Sequence, residues 1–202
     1  SKKKSKSSLK ASSGAKASNF TGKLTMVIPC YNEGKRVAKL IRSLESFDRS
    51  WSKAYELILV DDGSTDNTLA QLEQALTTAK LTKADAQILP LPQNVGKGGA
   101  LQAGVAAATG DFILTLDADM ATTPNQLHKW LAKLPGKTFS DQEILIGSRE
   151  DESSKVKGTP LRRVAGLIYN FIIQLFTNLT IADTQCGFKL YPAVIGKKLF
   201  AD

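Results

Sequence analysis

A chain of 202 residues is the size of one domain. With 42% hydrophobic and 23% charged residues, 15 Gly and 7 Pro, it is neither collagen-like, mucin-like nor wholly disordered. The net charge of +8 suggests a nucleic-acid partner until it is located: Lys2, Lys3, Lys4, Lys6, Lys10 and Lys16 fall in residues 1–18, which hold no acid, leaving +2 on the other 184.

Residues 1–19, rich in Ser, Lys, Ala and Gly, bury nothing and are expected to form a disordered basic arm. A solvated tail is favoured over an anion-binding one, and the body lacks the basic stripe of a nucleic-acid binder. Residues 20–202 then read as one domain in which short apolar runs alternate with helix-length segments. The runs are Leu24–Pro29, Leu57–Val60, Gln87–Leu91, Phe112–Leu116 and Ile144–Gly147. Helices are expected over 34–48, 66–80, 97–109 and 124–134. Such a repeat predicts an α/β chain with a mostly parallel central sheet flanked by helices. Ser64, Thr65 and Asp66 offer capping oxygens before the second helix, and Thr123-Pro124 suits the start of the fourth. Residues 164–179 are expected to form a further amphipathic helix, for which packing on the sheet is favoured over contact with lipid.

Cys30 and Cys186 are too few for a disulfide scaffold and lack metal-site spacing, so a reducing, cytosolic compartment is the simple expectation. No run of 18 uninterrupted apolar residues occurs, and the basic start is followed by no apolar segment of a secretory signal.

In an open α/β sheet, ligands bind beyond the carboxyl ends of the strands. Each such end is polar here: Cys30-Tyr31-Asn32-Glu33, Asp61-Asp62-Gly63-Ser64, Asn94-Val95-Gly96-Lys97-Gly98-Gly99, Asp117-Ala118-Asp119 and Ser148-Arg149-Glu150. If Asp117 to Asp119 is extended, its two carboxylates point the same way and repel unless a cation sits between them. A hard divalent ion completed by water and phosphate oxygens suits that pair. The same tripeptide also builds Asx turns and helix caps. Asp62 could accept the N3–H of a uracil ring, or the Asp61–Asp66 segment could simply cap a helix. The glycine-rich run from Asn94 permits close backbone approach of an anion at a helix N-terminus, or is merely a turn, with Lys97 solvated. Arg149, Arg162, Arg163 and Lys189 are candidate phosphate contacts, though each alone is commonly a surface charge. The single His128 has no Ser-His-Asp surroundings and is given no role.

The ordered set Val27-Ile28-Pro29-Cys30-Tyr31-Asn32-Glu33, Val60 to Asp66, Asn94 to Ala100 and Asp117-Ala118-Asp119 resembles glycosyltransferase family 2. Gly147-Ser148-Arg149 and Asp183-Thr184-Gln185-Cys186-Gly187-Phe188-Lys189 look like its dolichyl-phosphate β-glucosyltransferase branch, related to the polyprenyl-phosphate mannose synthases. The resemblance implies a GT-A (Rossmann-like) fold, a nucleotide-sugar donor such as UDP-glucose, Mg²⁺ or Mn²⁺, and a polyprenyl or dolichyl phosphate acceptor. It places the enzyme on the cytosolic face of a membrane: the endoplasmic reticulum in a eukaryote, the plasma membrane in a bacterium.

Carried over by residue, the resemblance puts Pro29, Tyr31, Glu33, Asp62, Lys97 and Asp117 at the nucleotide sugar. Asp117 and Asp119 become the metal ligands, and Asp117, Asp119, Arg149 and Arg162 the catalytic set. Arg149, Arg162, Arg163 and Lys189 would meet the acceptor phosphate. Ala121 stands where mannose synthases carry Gln, which favours the glucosyl branch. Gln102 stands where that branch carries Arg, so one phosphate contact is expected to be missing. The family's chains continue past the place where this one stops, so the domain is expected to be incomplete at its C-terminal end. Other expectations left open are a mannose-type donor, a saccharide acceptor with Asp183 as base, and a nucleotide-sugar binding module without turnover.

Overall fold

The computed structural model of the chain describes residues 21–133, 144–147 and 186–201. Six strands form one sheet: β1 (Leu24–Cys30), β2 (Tyr55–Asp61), β3 (Ala84–Pro90), β4 (Phe112–Thr115), β5 (Leu145–Ile146) and β6 (Lys189–Pro192). Their spatial order is β3-β2-β1-β4-β6-β5. β3, β2, β1 and β4 are parallel, while β6 runs antiparallel to both β4 and β5. The sheet is thus mixed but mostly parallel, as the β–α alternation predicts.

Both faces of the central strands are buried, which is why they read as continuous apolar runs. Leu24, Met26, Ile28 and Cys30 of β1 join Tyr55, Leu57 and Leu59 of β2 in one core. Val27, Ile58, Val60 and Ile113 point into a smaller core on the other face. Against the first core pack α1 (Val37–Ser50), entered through a 3-10 turn at Gly34–Arg36, α2 (Thr68–Thr78) and α4 (Gln126–Ala132). Val37, Leu40, Ile41, Leu44 and Phe47 supply the buried stripe of α1 at helical spacing. The second core is covered by α3 (Gly96–Ala107) and α5 (Ala193–Leu199). Gly104 lets α3 approach closely, because a Cβ there would collide with Val27 Cγ1 and meet Val60 Cγ2 at 2.9 Å.

Pro29 lies in a central strand although it has no N–H to give the ladder. Val27 accepts from Leu116 of the β4 side and Cys30 from Asp62 of the β2 side, so alternation turns Pro29 toward β4. The β1–β4 register has already ended at Val27 and Thr115, so no bond is lost.

Several boundaries differ from expectation. α2 starts at Thr68 rather than 66: Asp66 Oδ1 accepts the Thr68 N–H at 2.9 Å, whereas Ser64 and Thr65 bond to Asn32 instead of capping. α4 starts at Gln126, because Thr123 and Pro124 form a preceding turn closed by Gln126 N–H to Thr123 O at 3.0 Å. β6 and α5 are elements that the sequence pattern does not announce. The arm over 1–19 and the helix over 164–179 lie outside the described residues.

Opposite the functional rim, buried carboxylates close the bottom of the sheet. Glu56 accepts Thr25 Oγ1–H at 2.6 Å, Thr109 N–H at 2.8 Å and Thr109 Oγ1–H at 3.0 Å. Asp48 of α1 accepts the Thr82 and Lys83 N–H groups, each at 3.0 Å. His128 sits against Phe47 and Trp51, with Ser50 Oγ 2.9 Å from Nε2. Its place is therefore in an aromatic cluster, away from the acid rim.

Candidate active site

The parallel register puts Cys30 level with Asp61 and Asp61 level with Pro90, so the loops after β1, β2 and β3 emerge side by side. Thr115 of β4 is level with Lys189, and Lys189 with Ile146. Because β6 is reversed, its starting end reaches the same rim where the other strands finish.

The rim is cross-linked loop by loop. Asn32, in the left-handed region at φ 51°, accepts through Oδ1 from the N–H groups of Thr65 (2.9 Å) and Asp66 (3.3 Å). Its own N–H donates to Ser64 Oγ at 3.0 Å. Asp62 is 2% exposed; Oδ1 accepts Val95 N–H at 2.8 Å and Oδ2 accepts Asn94 Nδ2 at 3.1 Å. Gly63, at φ 62°, leaves room for the 93–94 backbone, since a Cβ would lie 2.5 Å from Asn94 N. Asp62 thus fastens the loop before α3, a role that sequence reading did not assign it. The neighbouring Asp61 is equally buried and its Oδ1 has no hydrogen-bond partner.

Asp117-Ala118-Asp119 is not an extension of β4. The strand ends at Thr115, and Met120 N–H closes a turn onto Asp117 O at 3.1 Å, with Met120 at φ 52°. The turn nevertheless brings both carboxylates to one cavity of about 50 Å³, lined by Asp117, Asp119, Ala121, Thr122, Cys186 and Phe188. The two acids thus share a cavity through a turn and not through an extended strand. Asp119 Oδ1 accepts the Ala121 N–H at 2.9 Å, and Lys39 of α1 holds Asp119 O at 2.6 Å. Asp117 is gripped from two sides: Lys97 Nζ pairs with Oδ1, and the Gly187 backbone lies so close that a Cβ would overlap the carboxylate. Thr115 Oγ1 donates to Gly187 O at 2.8 Å and holds that segment in place.

The other residues expected at the site are spread along this rim. Tyr31 is 45% exposed, Pro29 and Glu33 are half-buried, and Lys189 opens β6. Burial pushes the Glu33 carboxyl above its usual range, Arg36 at 2.9 Å opposes that, and Asp119 and Asp66 raise it further. Burial, with Glu33 and Asp61 adding to it, pushes the Cys30 thiol up to about 12, so it is no nucleophile at neutral pH. Gln102 does not face the acids; it lines a separate groove of about 460 Å³ with Val105, Ala106, Lys197 and Phe200. An Arg at that position would extend from the groove side of α3. Arg149, Arg162, Arg163 and Asp183 lie outside the described residues.

Among the described residues no group of three or more His, Cys, Asp or Glu side chains converges as a metal cage. The chemistry of Asp117 and Asp119 still fits Mg²⁺ or Mn²⁺: hard oxygen donors on one cavity larger than a water, with a cationic ammonium already drawn to one of them. Lys39, Gly187 and Cys186 were missed as site components. The Asp183 to Lys189 run held the last two without giving them a role.

This arrangement, a mostly parallel sheet with a two-acid turn after β4, is the GT-A glycosyltransferase fold. A mannosyltransferase from Pyrobaculum calidifontis, solved with GDP-Man and Mn²⁺, superimposes with a TM-score of 0.60 at 17% identity, over 89% of this chain and 47% of that one. Residues 25–200 match glycosyl transferase family 2, and the chain belongs to that family. It is 38% identical over 187 residues to a dolichyl-phosphate beta-glucosyltransferase of Trichomonas vaginalis, covering 88% of this chain and 55% of the relative. It is 31% identical over 176 residues to a dodecaprenyl-phosphate galacturonate synthase of Rhizobium johnstonii, covering 87% and 49%. The chain spans about half the length of the curated relatives it matches.

Proposed function

We propose that this chain carries the donor-binding half of an inverting glycosyltransferase that moves glucose from UDP-glucose to a polyprenyl phosphate of the dolichyl type. The observation that carries the reading is the shared cavity of Asp117 and Asp119 at the carboxyl rim of the sheet. The relatives' names support the acceptor more strongly than the sugar: the Trichomonas and Rhizobium proteins are named for different sugars, glucose and galacturonate, yet both names specify a polyprenyl-type phosphate.

Pro29, Tyr31 and Glu33 would flank the nucleoside. Asp62 would support it by holding the 94–96 turn, with Asp61 Oδ1 as the spare acceptor beside it. Asp117 and Asp119 would hold the Mg²⁺ or Mn²⁺ ion, which when bound supplies neutralisation of the charge growing on the departing diphosphate. Lys97 would add a cation on the phosphate side, while Arg149, Arg162, Arg163 and Lys189 would orient the acceptor phosphate opposite that leaving group. A phosphate monoester has a second pKa of about 6, so the attacking oxygen already carries its charge at neutral pH and no catalytic base is required.

Among the described residues no helix is long and apolar enough to cross a membrane. The lipid acceptor would bring this domain to the cytosolic face of a membrane as a peripheral partner. The test is radiolabel transfer from UDP-glucose and, separately, GDP-mannose into dolichyl phosphate or soluble glycan. Label from UDP-glucose in the lipid fraction is expected. Transfer only from GDP-mannose refutes the glucosyl donor, and transfer only into soluble glycan refutes the lipid-phosphate acceptor.

A further inference from the structure

α3 begins Gly96-Lys97-Gly98-Gly99, with no acid in its first turn. A lysine at that end meets the positive pole of the helix, so its own helix disfavours it. The ammonium pairs instead with Asp117 Oδ1. The two partners differ in freedom. Asp117 is backed by Gly187, where even a methyl group would overlap all three carboxylate atoms. Lys97 is 53% exposed on a flexible stem, and Gly96 and Gly98 leave the turn around it uncovered. With Asp117 held on a cation in the acid cavity, the lysine is the partner that would move.

We infer that Lys97 is an internal counter-ion that a divalent cation and a nucleoside diphosphate displace together. The cation takes over Asp117, and the released ammonium turns to the diphosphate at the start of α3. This rests on the metal and donor reading above. The cation binding alone must break an ion pair and strand an ammonium at the wrong end of a helix, whereas the diphosphate gives that ammonium a new partner. Each ligand therefore tightens the other, by the same factor in both directions. Lys97 in this scheme acts on metal affinity through Asp117 and on the diphosphate directly.

The test is Mn²⁺ binding, read from the loss of the free Mn²⁺ resonance and by calorimetry, with and without UDP. For the unaltered chain UDP should tighten Mn²⁺ at least about tenfold. Lys97→Gln should bind Mn²⁺ alone about fivefold more tightly, the scale of one partly exposed ion pair, and should lose a similar factor from the UDP enhancement. Lys97→Arg should keep the original pattern. In an Asp117→Asn background, Lys97→Gln should change Mn²⁺ affinity less than twofold. Unchanged or weaker Mn²⁺ binding by Lys97→Gln, or the same gain in both backgrounds, overturns the inference. Failure of the metal reading itself looks different: Asp117→Asn and Asp119→Asn would then leave Mn²⁺ binding untouched.

Discussion

Replacing Gly187 by alanine adds one methyl group where the Asp117 carboxylate now lies. Gly187 is not in the left-handed region, so the backbone accepts a side chain and the conflict is purely steric. Overpacking of this kind costs about 1–3 kcal/mol when neighbours cannot yield. Here the Asp117 side chain is 40% exposed and can swing outward, giving up an ion pair worth at most about 1 kcal/mol. The stiffer unfolded chain returns about 0.4–1 kcal/mol. The net loss should be no more than about 0.6 kcal/mol, or roughly 1–2 °C in Tm for a domain of this size. Metal affinity should suffer far more, because one of two acids has left the cavity: a loss of about 10- to 100-fold is expected. Thermal unfolding and Mn²⁺ titration on the same samples read the two effects separately. Gly104→Ala is the contrasting control, since its Cβ enters the packed core beside Val27 and Val60 and should cost stability without touching Mn²⁺ affinity. A Gly187→Ala protein that binds Mn²⁺ within twofold of the original would refute the claim that this glycine positions Asp117.

Asp119→Asn should abolish metal-dependent transfer while leaving the fold intact by circular dichroism; unchanged transfer removes the assigned ligand. Asp62→Asn places an amide where Val95 N–H and Asn94 Nδ2 need acceptors, and should cost about 1–3 kcal/mol in urea unfolding. Burial alone would raise the Glu56 carboxyl, but hydrogen bonds from Thr109 and Thr25 and the charge of Lys23 hold it below its ordinary value. Its stabilisation is therefore present above the unfolded pKa of about 4.3 and is lost as pH falls below it. Glu56→Ala should lower stability by about 3 kcal/mol at pH 7 and flatten the acid limb of a Tm–pH curve. Burial lowers the pKa of His128, so the unfolded chain takes the proton first and stability falls as pH drops through about 6.5. His128→Gln should lessen that slope between pH 7 and 5; an identical slope in both proteins would sink the assignment.

Fully buried strands announce themselves by apolar runs, and β1 and β4 are legible to within a residue for that reason. β2 begins two residues ahead of its apolar run because Glu56 interrupts the pattern, yet that glutamate is buried with three hydrogen bonds from Thr25 and Thr109. β3 is an edge strand with alternating exposure, so its polar positions hide its first three residues. The acid turn is legible as a motif, but its geometry is not: a positive φ at Met120 is invisible in sequence, and Asp117 meets Lys97 and Gly187 from 20 and 70 positions away only once α3 and β6 are in place. Lys39 gives no signal, because a lysine on an exposed helix face looks the same whether or not it grips a distant carbonyl.

The reversal of β6 has a consequence for how such a domain can diversify. β5 leaves the sheet, and β6 re-enters it, at adjacent points on the rim that carries the acids, with Ile146 facing Lys189 across the ladder. The chain between those points, residues 148–185, therefore starts and finishes beside the acids. A change in that stretch enters and leaves beside the acids without passing through β1, β2 or β3.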